Sequence, residues 1–331
     1  MPEFHYRFQR GRGHGALRRL RRSKRRRSAT ANAAWITLIA VVITLSGCTS
    51  NSAGTKTSSS SQSFVPAQII PTPAGLIATT QPQPNGTVWV LAGTQSVKTL
   101  TDIEFHTGAV ETTVGVSASA TDVVESQSGQ LAVSTATATT GAVELYNPTN
   151  GTLLDSIAAP GPVTSLTPSL ASNGDTLFYA LVRTPSSYNV AVVDATSLRV
   201  TALFPAPSGA VGLVVGADRQ SLWLVASDGT LTRMNTGNGA LTGNFKIPGA
   251  SGQAISISPN GDTLYVLSSS ASQQDASLLI VRAANGQLVK VLPAPTNSVN
   301  ITVSPDGTIL YYAVGTTSFG NLQAYPVPPG P

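Results

Sequence analysis

The sequence predicts an all-β chain folded as a β-propeller of six four-stranded antiparallel blades, and three observations predict it. A turn bearing Gly, Asn or Asp and followed by an apolar, β-rich run recurs about every 44 residues. A second set of turns falls between these, so each unit holds about four short strands. Outside the first 47 residues, no stretch carries a convincing amphipathic helix pattern. Short antiparallel strands in units of this size close radially, which leaves only short, protected edges.

The first 47 residues read as an export signal. Eleven of the 20 Lys and Arg lie before residue 28, eight of them between Arg18 and Arg27. An apolar run follows over 33–45. As a helix it would rise about 20 Å, short of the roughly 30 Å hydrocarbon core of a bilayer. It leads into Leu45-Ser46-Gly47-Cys48, and Cys48 is the single cysteine. A basic segment, a short apolar segment and small residues before a cysteine resemble a bacterial lipoprotein signal. The resemblance implies cleavage after Gly47, acylation of Cys48 and a place on the extracytoplasmic face of the cell membrane. Two acyl chains bury methylenes at about 0.8 kcal/mol each, enough for stable attachment where one chain is marginal.

Residues 49–331 keep 9 basic and 14 acidic side chains, a net charge of −5 against +5 for the whole chain. The basic character therefore belongs to the leader, and the negative remainder opposes phosphate contacts, so no nucleic-acid partner is expected. With one cysteine there is no internal disulfide, and stability has to come from packing. Residues 48–63, rich in Ser and Thr, lack apolar side chains that would offset the entropy of ordering them; they are expected to be a flexible tether. The propeller domain is expected over 64–331.

Within that domain, Val88, Leu131, Leu177, Leu222, Leu264 and Leu310 mark equivalent points of six units, at spacings of 43, 46, 45, 42 and 46. The preceding turns are Pro84-Asn85-Gly86, Ser128-Gly129, Asn173-Gly174-Asp175, Asp218-Arg219, Pro259-Asn260-Gly261 and Pro305-Asp306-Gly307. The second set includes Asn147 to Gly151, Asp194-Ala195-Thr196, Asn235 to Gly239 and Ala284-Asn285-Gly286, where Gly or Asn supplies positive φ for a hairpin. The strings Pro259-Asn260-Gly261-Asp262-Thr263-Leu264-Tyr265-Val266 and Val192-Val193-Asp194-Ala195-Thr196 resemble the YVTN-type (YncE-like) propeller repeat. Units one, two and four depart from that pattern. The family often has seven blades, whereas six units are counted here.

The sixth unit stops after three strands at a proline-rich end. Residues 64–71, Phe-Val-Pro-Ala-Gln-Ile-Ile-Pro, resemble the fourth strand of other units, such as 244–248 and 288–293. The N-terminal strand is therefore expected to close blade six.

The chain is poor in the residues that carry catalysis. After the leader it holds one histidine, His106, expected to be a structural strand residue, and no Cys-x-x-Cys, His-Glu-x-x-His, Gly-x-Ser-x-Gly or phosphate-loop motif. No cofactor is expected. Counting back from the turn glycine places Thr79, Asp122, Gly212, Ala254 and Asn300 at one depth of the central channel. Asp122 and Asn300 are the candidate ligand-binding pair there, and hydrogen bonds to channel water are the plainer role. Glu125 falls where other units carry Val215, Ile257 and Val303. A buried unpaired carboxylate is costly, so a register slip in blade two is the simpler expectation, and a binding role for Glu125 is the alternative.

The loops between second and third strands, 183–188, 269–276 and 316–321, vary most. They are expected to decorate one face, with Arg183, Tyr188 and Phe319 as candidate contacts. Together these readings predict a lipid-anchored, non-enzymatic binding module for a cell-envelope protein or glycan. The alternative is a lactonase-like hydrolase with a divalent metal in the channel, for which Asp122, Asn300 and Glu125 supply the only matching chemistry.

Overall fold

The computed structural model describes residues 65–83, 86–170, 176–269 and 276–328. The leader, Cys48, the tether, most of the loop 269–276 and the turns at 84–85 and 173–175 lie outside the described residues. What is described is all β, arranged as six four-stranded antiparallel sheets.

The chain opens on β1 (Gln68–Thr72). Blade one then follows as β2 (Leu76–Thr79), β3 (Thr87–Gly93), β4 (Lys98–Glu104) and β5 (Val110–Val116). Blade two is β6 (Ala120–Glu125), β7 (Leu131–Ala136), β8 (Gly141–Tyr146) and β9 (Leu153–Ala159). Blade three is β10 (Val163–Leu170), β11 (Thr176–Arg183), β12 (Tyr188–Asp194) and β13 (Arg199–Ala206). Blade four is β14 (Ala210–Val215), β15 (Ser221–Ala226), β16 (Thr230–Asn235) and β17 (Leu241–Lys246). Blade five is β18 (Gly252–Ile257), β19 (Thr263–Ser269), β20 (Ala276–Arg282) and β21 (Gln287–Ala294). The last three strands are β22 (Ser298–Val303), β23 (Ile309–Thr316) and β24 (Phe319–Pro326).

Blade six is completed by β1, which pairs with β24 from Gln68↔Ala324 to Thr72↔Gly320. The expected closure by the N-terminal strand is thus observed. Because β1 is not joined to β24 by a hairpin, its ladder is regular. In blades one to five, the pairing of third and fourth strands skips one residue beside the connecting turn. A turn of this kind with a left-handed residue drives such a bulge; Gly108, Gly151, Gly239 and Gly286 supply that residue, and Leu198 takes it in blade three at φ 56°.

Apolar side chains are not pooled in one centre. They form six clusters, one at each seam between adjacent blades. Alternation explains this: each inner and middle strand offers one face to the blade before it and the other to the blade after it. Trp89 fills the seam between blades one and two, Trp223 that between four and five, and Tyr312 that between five and six, all nearly inaccessible to solvent.

The strand polarity defines two faces. The lower face carries the turns between first and second strands, the end of β24 and the start of β1; the upper face carries the turns between second and third strands. The lower turns share one design: the N–H of Gly86, Gly129, Arg219, Gly261 or Gly307 donates to the carbonyl three residues earlier at 2.8–2.9 Å. Each of those five residues has positive φ.

Candidate functional site: the central channel

The six inner strands β2, β6, β10, β14, β18 and β22 line a central channel of about 650 Å³. That volume lies within the range of small-ligand sites. In every blade the inner strand skips one residue against its neighbour, between Leu76/Ala78, Ala120/Asp122, Val163/Ser165, Ala210/Gly212, Gly252/Ala254 and Ser298/Asn300. This shared bulge fixes depth better than the turn does. It puts Ala78, not Thr79, level with Asp122, because blade one carries one extra residue between its inner strand and the turn hydrogen bond at Gln83. It also supplies Ser165 as blade three's member of the ring.

Asp122 is turned away from the channel axis into the seam with blade three. Its Oδ1 accepts from the N–H of Val123 at 2.9 Å, and its Oδ2 accepts from Leu166 N–H at 2.9 Å and Ser165 Oγ at 3.2 Å. Burial pushes its pKa up to about 6, against those three hydrogen bonds, which favour the ionised form. Asn300 makes the matching local bond, its Oδ1 accepting from Ile301 N–H at 2.7 Å. The two side chains are therefore each engaged by backbone, and no hydrogen bond joins them.

Asp122 is one of several side chains that lash inner strands together. Thr121 Oγ1 donates to Val163 carbonyl at 2.7 Å, and Thr167 Oγ1 accepts from Val215 N–H at 3.3 Å. Gln253 Nε2 donates to Ser298 carbonyl at 3.2 Å, and Gln81 Nε2 donates to Val303 carbonyl at 2.5 Å. Many polar groups of the channel are thus structural fastenings between blades.

Glu125 corrects the expected register slip. It pairs with Leu131 as Val215 pairs with Leu222, Ile257 with Leu264 and Val303 with Leu310. The register holds, and a carboxyl group stands where blades four, five and six place apolar side chains and blade one places Gln81. Glu125 is half-buried on the channel wall; burial, and secondarily the charge of Asp102 in blade one, push its pKa up to about 7. Burial also raises Asp102, with a smaller contribution from the charge of Glu111, while a hydrogen bond from Thr87 opposes it. Asp102 Oδ1 is buried without a hydrogen-bond partner.

One channel-mouth residue escapes a search for catalytic motifs. Arg219, the lower turn residue of blade four, lines the channel and donates through Nη2 to Gln127 Oε1 of blade two at 3.3 Å. The signal for it was available in the sequence, since Arg occupies the turn position that Gly fills in the other five units.

Away from the channel, Arg183 and Tyr188 face each other across the β11–β12 turn, with the guanidinium 5.9 Å from the ring centroid. Thr184 and Ser187 close that turn, their hydroxyls 2.8 Å apart. Phe319 stands exposed at the β23–β24 turn, so the described candidate contacts share the upper face. Beside them, Ser269, Asn297, Ser298, Thr316 and Thr317 line a second hollow of about 300 Å³ between blades five and six. His106 is not a strand residue: it lies exposed in the turn after β4, its N–H donating to Glu104 Oε1 at 3.0 Å. Among the described residues, no three His, Cys, Asp or Glu side chains are grouped to hold a metal ion.

Comparison with solved structures agrees with this architecture. Hydrazine synthase of Kuenenia stuttgartiensis superposes with a TM-score of 0.59 at 13% identity, over 76% of this chain and 83% of that one. The Cps50 (Swd1) β-propeller domain of Myceliophteria thermophila superposes with a TM-score of 0.55, again at 13% identity over 76% of this chain and 83% of that one. The chain is a six-bladed β-propeller. No family model matches the sequence, and no curated protein matches it. At this identity the likeness concerns the fold alone, and propellers host unrelated functions.

Proposed function

We propose that this propeller is a lipid-anchored binding module, held to the extracytoplasmic face of a bacterial cell membrane through Cys48 and engaging a cell-envelope protein or glycan with its upper face. The YVTN-type character of the repeat belongs to the same proposal. The observation that carries it is the polarity of β1. The strand enters the disc at the lower face, beside Ala324, and runs to the upper one, so the described chain starts on the face opposite the Arg183–Tyr188 and Phe319 turns. A tether joined where the described chain starts would keep the upper face clear for a partner. The hydroxyl- and amide-lined hollow between blades five and six adds polar, concave surface there.

Crosslinking of the full chain in its own cells, with mass spectrometry of captured species, tests the proposal. The expected result is a reproducible envelope protein or glycan whose capture is lost in a Tyr188→Ala, Phe319→Ala double variant. Capture that ignores both substitutions, or no capture at all, would sink the upper face as the binding surface.

A further inference from the structure

The lower mouth of the channel holds two opposite charges that do not meet. Arg219 and Glu125 line the same cavity, and among the described residues they form no ion pair with each other. The Glu125 side chain makes no hydrogen bond to any described group, and the equivalent positions offer it no cation: they are Val215, Ile257 and Val303 in blades four to six and Gln81 in blade one, whose amide is bonded to the Val303 carbonyl. Arg219 is carried towards it: the guanidinium is tied to Gln127, whose Cα, two residues beyond that of Glu125, lies no more than about 7 Å from it.

The backbone under Arg219 adds an independent observation. Its φ of 58° lies in the left-handed region, at the turn position where the described blades one, two, five and six use glycine. A side chain with a Cβ costs stability in that conformation, and the fold does not require one. Strain retained at a cavity mouth points to a use for the side chain.

We propose that this mouth binds a small zwitterion, with Arg219 taking its carboxylate and Glu125 its ammonium. Charge-assisted bonds at both ends give each charge an opposite partner that it lacks among the described residues. Asp102 places a second acidic group behind Glu125 and strengthens the preference for a cation there. Among the described residues, the lining carries no aromatic side chain and so offers no stacking platform for a nucleobase or a sugar ring. A short aliphatic ω-amino acid has the required chemistry, and its length reads the distance between the two ends.

The inference deepens the reading of the chain as a binding module and uses neither the anchor nor the upper face. Isothermal titration of the full-length chain in detergent with ω-amino acids of increasing length tests it. Binding should peak at one length and weaken at least about tenfold when the amine is acetylated or the carboxylate esterified. Arg219→Gly, which relieves strain and keeps the turn, should lose binding without a lower melting temperature, and Glu125→Gln should lose it as well. Leu198→Gly relieves the same kind of strain far from the cavity and should bind as the parent does. Absence of binding across the series would overturn the inference, as would equal binding of the acetylated or esterified forms, or unchanged affinity in Arg219→Gly. If the upper face captures a partner while no zwitterion binds, this inference fails and the binding-module reading stands.

Discussion

At the scale of single residues, the two channel carboxyls differ in their partners, although burial raises the pKa of both. Asp122 stabilises the structure because three donors converge on it from two blades. Asp122→Ala leaves the buried Leu166 N–H without an acceptor and should cost about 2–3 kcal/mol in a denaturant titration; a loss below about 0.5 kcal/mol would mean that water replaces the carboxylate. Glu125 is destabilising when charged. Its folded pKa is raised to about 7 from 4.5, so the folded chain holds the proton more tightly than the unfolded one, and stability falls as pH rises from 4.5 through 7. After allowance for screening by solvent at this half-exposed site, the loss is on the order of 1–2 kcal/mol. Glu125→Gln should therefore raise the melting temperature more at pH 8 than at pH 5, and an equal gain at both would refute this assignment. The internal repeat places Glu125 at its true register, but a carboxyl among apolar equivalents makes a register slip the simpler expectation from sequence. The Asp102 carboxyl that shares its surroundings is 23 residues away in the chain, on another blade, and only the fold joins them.

At the scale of elements, β1 bears the ring closure. It brings Ile70, 2% exposed, into the cluster between blades six and one, and Gln68 Nε2 donates to the carbonyls of Phe105 and His106 at 3.2 Å. Ile70→Ala should cost about 2–4 kcal/mol, and removal of 65–72 should lower the melting temperature well beyond that substitution. Equal effects would show the strand to be dispensable. This element was legible in the sequence, because 64–71 repeats the composition of other fourth strands. The depth of the inner strands was less so. Blade one has one residue more before its turn, and counting from Gly86 therefore selects Thr79 where the shared bulge selects Ala78. A bulge leaves no mark in composition, and blade three's Ser165 stays hidden because that unit carries extra residues between its inner strand and its turn.

At the scale of the whole molecule, the period of the repeat was enough to give six blades, since each unit must bury both faces and cannot do so alone. Function was less legible, because the polar channel groups that a reader would assign to a ligand are largely spent on neighbouring backbone. The proposed anchor is a whole-molecule property and has a direct test. Cys48→Ala should move the protein from the membrane pellet to the soluble exported fraction, and retention in the pellet would refute acylation at this residue.

The way in which β1 joins β24 also sets how the disc carries load. A pull at the N-terminal end of β1, directed away from the lower face, runs along the strand axis, and the five residue pairs of that ladder resist it together. They act as a lap joint in shear and not as a zipper opened from one end. Force transmitted between a tether on one face and a partner gripping the other would thus meet the ring at the one described ladder whose strands are not consecutive in the chain, in the direction in which that ladder is strongest.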